Sequence, residues 1–423
     1  MTTIQLKYGK GTISCTLPVE QPVQWIYPPS VSPAPDPALL VKQSLLHPSG
    51  EICEHKLTSD TRIAIAVNDK TRPVPHPVLL PPLLKWLHSH SISDENITFF
   101  IASGTHVPME PGEFSQVLSE SLTEKYPIIA HDCQDKSNLT YLGQTTCNQT
   151  PVWVNTRFYQ SGYRIVVGNI EPHHFMGFSG GVKTASIGLT GLETIQKNHA
   201  LMIDPGCETA RVIDNPMRKD VEEIGRMIGV NLAVNAVLNE KREIVRVLSG
   251  EPASVFADGI ATSSEVCQTS ISNPFSRVIA SAGGYPKDIN FYQAQKAMTN
   301  AALVVRDNGV LILAAECIEG AGSKGFTDFM YNTASPAEVL VKFAASSFAI
   351  GMHKAFLTCR ILDRIKVILV SSLEPSLVRS WHMLPAPTLQ DAVTLAFDDF
   401  PQGNKPLAVM PYAVNTVPLV QLP

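Results

Sequence analysis

The sequence predicts an α/β protein of two domains, each a mainly parallel sheet flanked by helices, with the active site in the cleft between them. Three observations point to that class. Short runs rich in Val and Ile carry no polar alternation, which suits strands buried on both faces. Each run stops abruptly at polar, glycine or proline residues. Helical segments lie between the runs, and 423 residues exceed one ordinary core.

In chain order, the proline-rich stretch 18–37 reads as an extended early segment. The run 63–67 ends in Asn68-Asp-Lys-Thr-Arg-Pro73, 97–102 in Ser103-Gly-Thr-His106, and 164–168 in Asn169-Ile-Glu-Pro-His-His174. Thr190-Gly-Leu-Glu193 has the spacing of a capping box, with Thr190 at the N-cap. The helix it opens would carry Ile195, His199 and Met202 on roughly one face. A second helix starts at Asn215-Pro216 and reaches Gly229 through Val221, Ile224 and Ile228. The polar, turn-prone stretch 271–276, with Asn273-Pro274, marks the boundary between domains 1–272 and 273–423. The last strand is left free to return to the first domain. Beyond the boundary, 278–282 ends in Gly283-Gly-Tyr-Pro286, 310–315 in Glu316-Cys-Ile-Glu-Gly320, and 365–370 in Ser371-Ser372. A third helix, 288–303, carries Tyr292, Gln293 and Lys296.

Composition narrows the function. The chain is 44% hydrophobic and 17% charged, the profile of a soluble globular protein. A net charge of −5 gives no global basic field for nucleic acid or an anionic membrane, so anionic substrates would be held by a few local cations. Eight scattered cysteines without a CxxC pair suit reduced thiols in the cytoplasm. No secretory signal opens the chain, and no apolar run approaches the ~20 residues of a membrane span.

Ligands of open α/β sheets bind beyond the carboxyl ends of the strands, so the polar tails are the candidate chemistry. Asp69 and Arg72 are either a solvated pair or, at a strand's end, an arginine grip for carboxylate or phosphate. His106, His173 and His174 each admit a structural role. Two histidines facing each other across a substrate would instead supply an acid and a base near neutral pH. Gly177-Phe-Ser-Gly-Gly-Val-Lys183 places glycines before a helix start, as in a phosphate cradle, although it is neither a Walker A loop nor G-x-G-x-x-G. Lys183 and His199 could approach one bound group; a phosphate-binding lysine beside an ordinary helix histidine is the alternative. There is no HExxH, and a zinc hydrolase built from His173, His174 and His199 has no motif behind it. Lys296 could add a second cation beside Tyr292 and Gln293, or lie on a solvated helix face.

With these residues in view, the chain resembles the nickel-dependent lactate racemases and their 2-hydroxy-acid racemase relatives. The resemblance spans almost the whole chain. Its motifs stand in order: Asp69-Lys-Thr-Arg-Pro73, Ser103-Gly-Thr-His106, Pro172-His173, Gly177-Phe-Ser-Gly-Gly-x-Lys183, Asn198-His199, Tyr292-Gln293-x-x-Lys296 and Gly351-x-His-Lys-Ala355. Ile187-Gly188 stands where many relatives have Pro-Gly. The resemblance implies a nickel(II) pyridinium-3,5-bisthiocarboxylic acid mononucleotide, a nickel-pincer nucleotide, carried by Lys183 through a thioamide, with His199 ligating nickel. It implies cofactor contacts from Asp69, Arg72, Gly180 and Gly181, and His106 and His173 as the two acid/base residues. Arg72, Tyr292, Gln293 and Lys296 would bind a small 2-hydroxy carboxylate, and His174 would be structural. The reaction implied is racemisation by reversible hydride transfer to the cofactor. Cofactor-synthesis proteins would be transient partners. The stretch 349–356, with Met352 and His353, lies where the substrate's side chain would be selected.

Two other readings differ in class. An NAD-dependent 2-hydroxy-acid dehydrogenase needs a dinucleotide fingerprint that the sequence lacks, and would consume NAD. A non-catalytic binding module for sugar acids or other carboxylates would use Arg72 and Lys296 but carry no lysine adduct.

Overall fold

The structure is a computed structural model that describes residues 2–72, 74–346, 351–400 and 405–420. Pro73, and residues 349 and 350 at the head of the selectivity stretch, lie outside the described residues. The chain forms two compact units: Ser30–Val266, and Met1–Pro29 together with Cys267–Pro423.

The sheet of the Ser30–Val266 unit runs in the order Ile244–Gly250, Leu232–Leu238, Tyr163–Asn169, Ile63–Asn68, Ile97–Ala102, Ile128–Ala130. Every pairing is parallel except that of the first two strands. Ile63 to Val67 are at most 1% exposed, which is why the run shows no polar alternation. Ile63, Ile65 and Val67 face the helix His76–Ser89, whose Leu79, Leu80, Leu83 and Leu87 join the same core. Ala64 and Ala66 face the other way, toward Ala185, Leu189 and Ile224. Those small side chains let the segment after the glycine loop pack close beneath the strand ends.

The second sheet runs Leu384–Ala386, Lys366–Val370, Val305–Ala314, Phe275–Ser281, Leu407–Met410, Val23–Trp25, all parallel. Its far edge, Val23–Trp25, groups the first residues with this unit and not with the residues up to 272. The hairpin Thr3–Tyr8 and Gly11–Thr16 explains the grouping, because Ile4, Leu6, Cys15 and Leu17 are buried against Ile279, Ile312 and Val409 of this sheet. The stretch read as a turn at 271–276 begins in a strand, Gln268–Ile271, which pairs with Val417–Val420 in the same unit.

Helix ends follow local chemistry. The helix Pro216–Ile228 begins where Asn215 Oδ1 accepts from Arg218 N at 3.0 Å and stops at Gly229, in the left-handed region at φ 71°. The capping box expected at Thr190 does not form. The helix Leu192–Ala200 has Gly191 at its N-cap, and the Thr190 hydroxyl donates instead to Ser186 O at 2.9 Å. The third helix starts later than residue 288, at Phe291, because Asn290 caps it and buried Asp288 accepts from Gly9 N at 2.7 Å. Among the described residues no helix is long and apolar enough to cross a membrane.

His76 gives the fold a pH dependence. It is 2% exposed, and burial, opposed by a backbone hydrogen bond to Val117, pushes its imidazole down to about 4. The unfolded chain therefore takes up a proton near pH 6.5 that the native state refuses, and stability falls as pH drops from about 6.5 toward 4. Between pH 7 and 5 this one group removes about 2 kcal/mol. Urea unfolding of His76→Gln is expected to lose that much less than the parent over the same interval; equal losses would rule His76 out.

Candidate active site

Three neighbouring parallel strands of the Ser30–Val266 unit end side by side, and each tail carries chemistry. Asp69 follows Ile63–Asn68 and is 4% exposed. Its Oδ1 accepts from the Thr71 amide at 3.1 Å and hydroxyl at 2.6 Å, and its Oδ2 lies 2.6 Å from Nδ1 of His106, beyond the neighbouring strand. Burial alone would raise the Asp69 carboxyl. The bonds from His106 and Thr71, with the charges of His106 and Arg72, hold it below its ordinary value. Ionised Asp69 accepts the Nδ1 proton, which leaves Nε2 of His106 as the basic nitrogen. Arg72 Nη1 donates to the Thr71 hydroxyl at 2.9 Å.

The tail of Tyr163–Asn169 carries His173, in a two-residue ladder with Gly177. Burial, then the charges of Lys183, His174, Arg72 and His199, push its imidazole well below the ordinary value. Those influences place His173, Lys183, Arg72 and His199 in one electrostatic neighbourhood. His174 lies near Phe175, ring centroids 6.3 Å apart.

The glycine loop is shaped for close packing. Gly180 and Gly181 have φ of 88° and 57°; a Cβ on Gly180 would collide with Ile170, and one on Gly181 would sit 2.9 Å from Arg218 Nη2. It is not the row of open amides that a phosphate cradle requires. Ser179 N donates to Glu171 O at 2.8 Å, Gly181 N to Asn235 Oδ1 at 2.7 Å and Lys183 N to Gly180 O at 3.3 Å, and the helix that follows, Lys183–Ser186, has four residues. The loop's work is to fix Lys183. Burial, then the Arg72 charge, push the Lys183 amine down to about 7, with Glu171 opposing and Arg218 assisting.

Arg218 was not visible as a site residue in the sequence. It is 2% exposed, donates to Phe178 O and Gly180 O at 3.2 Å, pairs with Glu222 and lies 3.4 Å from the Phe256 ring centre. Arg218→Ala strips two carbonyls of the loop and leaves Glu222 without its partner. We expect a loss of about 3 kcal/mol in urea unfolding; an unchanged midpoint would show that the loop is held by other contacts.

His199 stands near the end of Leu192–Ala200, and its neighbour sets the helix's rotation. Asn198 Nδ2 donates to Asp220 Oδ2 at 2.9 Å and Met217 O at 3.2 Å, while Asp220 also accepts from Thr145 and Thr150. Burial, then the Lys183 charge, push His199 down to about 4 against a backbone hydrogen bond to Ile195, so the imidazole is neutral at pH 7. A neutral imidazole is the form that ligates a metal. Among the described residues no three His, Cys, Asp or Glu side chains are placed to hold a metal ion by themselves.

In the other unit, Tyr292, Gln293 and Lys296 occupy the first turns of the helix Phe291–Ala302. Asn290 Oδ1 accepts from Gln293 N at 3.1 Å, and the amides of Phe291 and Tyr292 donate to Gly320 O and Ala321 O. On the helix Met352–Leu362, His353 meets Tyr292 edge to face at 6.3 Å.

Residues 8–210 match the family model of the lactate racemase N-terminal domain, and residues 272–417 that of the lactate racemase C-terminal domain. The chain belongs to the lactate racemase family. It is similar to the lactate racemase of Thermoanaerobacterium thermosaccharolyticum, 29% identical over 431 residues and 99% of each chain. The lactate racemase of Lactiplantibacillus plantarum is 29% identical over 384 residues, 89% of this chain and 90% of that one. The lactate racemase apoprotein structure from T. thermosaccharolyticum superposes with a TM-score of 0.89 at 28% identity, covering 99% of this chain and all of that one. A Thermotoga maritima protein shares the fold alone, with a TM-score of 0.63 at 17% identity over 92% of this chain. The two-domain α/β class read from the sequence is that of the lactate racemase structure.

Proposed function

We propose that this racemase interconverts the enantiomers of a small 2-hydroxy acid, lactate or a close relative, using a nickel-pincer nucleotide carried on Lys183. One observation carries the reading: neighbouring strand tails of one sheet carry an aspartate-buttressed His106 and a neutral imidazole at His173, and the glycine loop that follows delivers a low-pKa amine at Lys183.

The residues fit such a group. Lys183 follows a turn that admits no Cβ at Gly180, and its amine near pH 7 is partly neutral, the form that bonds to an acyl or thioacyl carbon. His199 offers one neutral nitrogen to nickel. Buried Asn68 Oδ1, Ser103 Oγ, Asn169 Nδ2 and Ser186 Oγ, at the strand tails and after the glycine loop, have no hydrogen-bond partner within the protein. When bound, the group supplies an acceptor and donor of hydride at the substrate's carbon, avoiding proton abstraction from a weakly acidic C–H.

The protein's part is proton transfer and positioning. Nε2 of His106, fixed as an acceptor by Asp69, takes the hydroxyl proton of one enantiomer, and neutral His173 takes that of the other. Arg72, Gln293 and Lys296 position the carboxylate, with Tyr292 beside it. Eight scattered cysteines without a CxxC pair support a reducing compartment, the cytoplasm. Cofactor-synthesis proteins are the expected transient partners.

The test is a panel of 2-hydroxy acids offered to protein produced alongside cofactor-synthesis enzymes. Chiral chromatography should show interconversion of lactate or a near relative with no net consumption of NAD. Protein bearing the full adduct mass that interconverts no member would overturn the reading.

A further inference from the structure

The helices Phe291–Ala302 and Met352–Leu362 enclose a lysine to which the proposed chemistry gives no role. Lys354 is 4% exposed, its Nζ donates to Gln295 Oε1 at 2.9 Å, and it lies 4.8 Å from the centre of the Tyr292 ring. Among the described residues no carboxylate pairs with it. Gln295 Nε2 and Thr358 Oγ1, on fully buried residues, have no hydrogen-bond partner. Burial, then the like charge of Lys296, push Lys354 down to about 7. Packing alone does not explain such a residue. An apolar side chain of the same length would fill the space without the cost of desolvating an amine. What the amine adds is directional: a hydrogen bond to one residue of the substrate helix and, in its protonated form, a cation against the ring of another.

We propose that Lys354 is a positioning residue for substrate binding, holding Tyr292 and Gln295 and through them the helix turn that presents Gln293 and Lys296. The inference rests on the carboxylate-binding role given above to that helix. Lys354 acts on the bound state of the substrate and leaves the reacting atoms alone, so its loss should move KM rather than kcat.

The loaded enzyme is the material for the test. Lys354→Met should raise KM for the 2-hydroxy acid about tenfold, the scale of one cation–π or hydrogen-bond contact, with kcat within about twofold of the parent. Its urea midpoint should equal or exceed the parent's, since a buried amine without an acid has been removed. Gln295→Leu removes the acceptor and should raise KM similarly, while the double variant should be no worse than either single one. A Lys354→Met enzyme with the parent's KM overturns the proposal, as does one whose kcat and midpoint fall together, and so do fully additive effects in the double variant. Should the parent racemise nothing, the functional reading fails by itself. Calorimetric titration of lactate into loaded parent and Lys354→Met protein then judges the inference: weaker binding by the variant supports it, and equal affinity sinks it.

Discussion

Racemisation by His106→Ala and by His173→Ala is expected to fall by ~10²–10⁴-fold from the parent rate, the usual contribution of a positioned acid or base. The two losses should be of similar size, because conversion in either direction needs one histidine to accept a proton and the other to return one. The histidines are prepared differently for that work. His106 is oriented by the 2.6 Å contact of its Nδ1 with Asp69, whereas His173 is kept neutral by burial and by the cations around it. Neither variant can alter the final ratio of enantiomers, since a catalyst does not move an equilibrium. Chiral chromatography of reactions started from each pure enantiomer reads both rates. Near-parent rates for both variants would end the two-histidine mechanism.

Lys183→Ala is expected to leave no covalent adduct at all, and with it no racemisation. The argument is positional as well as chemical. The amine is delivered by a turn that tolerates only glycine at Gly180, is backed by Arg218, and titrates near 7 where an exposed lysine would stay fully charged. Lys183→Arg preserves a cation but cannot form the bond, so it should behave as the alanine variant does. The measurement is the intact mass of each protein after production with the cofactor-synthesis enzymes. The full adduct mass on Lys183→Ala would place the attachment at another residue.

Much of the frame was legible because it rests on short-range rules. The Val- and Ile-rich runs 63–67, 97–102, 164–168, 278–282, 310–315 and 365–370 became parallel strands, since a strand covered on both faces needs no alternation. Asn215-Pro216 and Gly229 framed a helix because both signals act within one turn of the chain. Thr190 misled for a specific reason: its hydroxyl had a nearer acceptor in Ser186 O. Strands of three residues, such as Ile128–Ala130 and Leu384–Ala386, are too short to show a period. Arg218 and Asn235 were invisible as site supports because their partners, Gly180 and Gly181, lie far along the chain, and Lys354, though within the motif Gly351-x-His-Lys-Ala355, showed no sign of its distant partner Gln295. The candidate histidines and Lys183 were legible through ordered motifs, not through any local rule that separates a working histidine from a structural one.

The edge strand Val23–Trp25 carries a cost that is felt only while the protein is being made. Its partner, Leu407–Met410, is made only after the whole of the Ser30–Val266 unit. Until the strands from Phe275 onward are made, Ile4, Leu6 and Leu17, which the finished protein buries, have no sheet to cover them. Ser30–Val266 already contains every strand of its own sheet, so it can close while the leading residues still wait. In that interval the hairpin is a sticky segment, a natural target for a holding chaperone. Transplanting Thr3–Pro29 to directly behind Val420 would make each unit contiguous and abolish the wait.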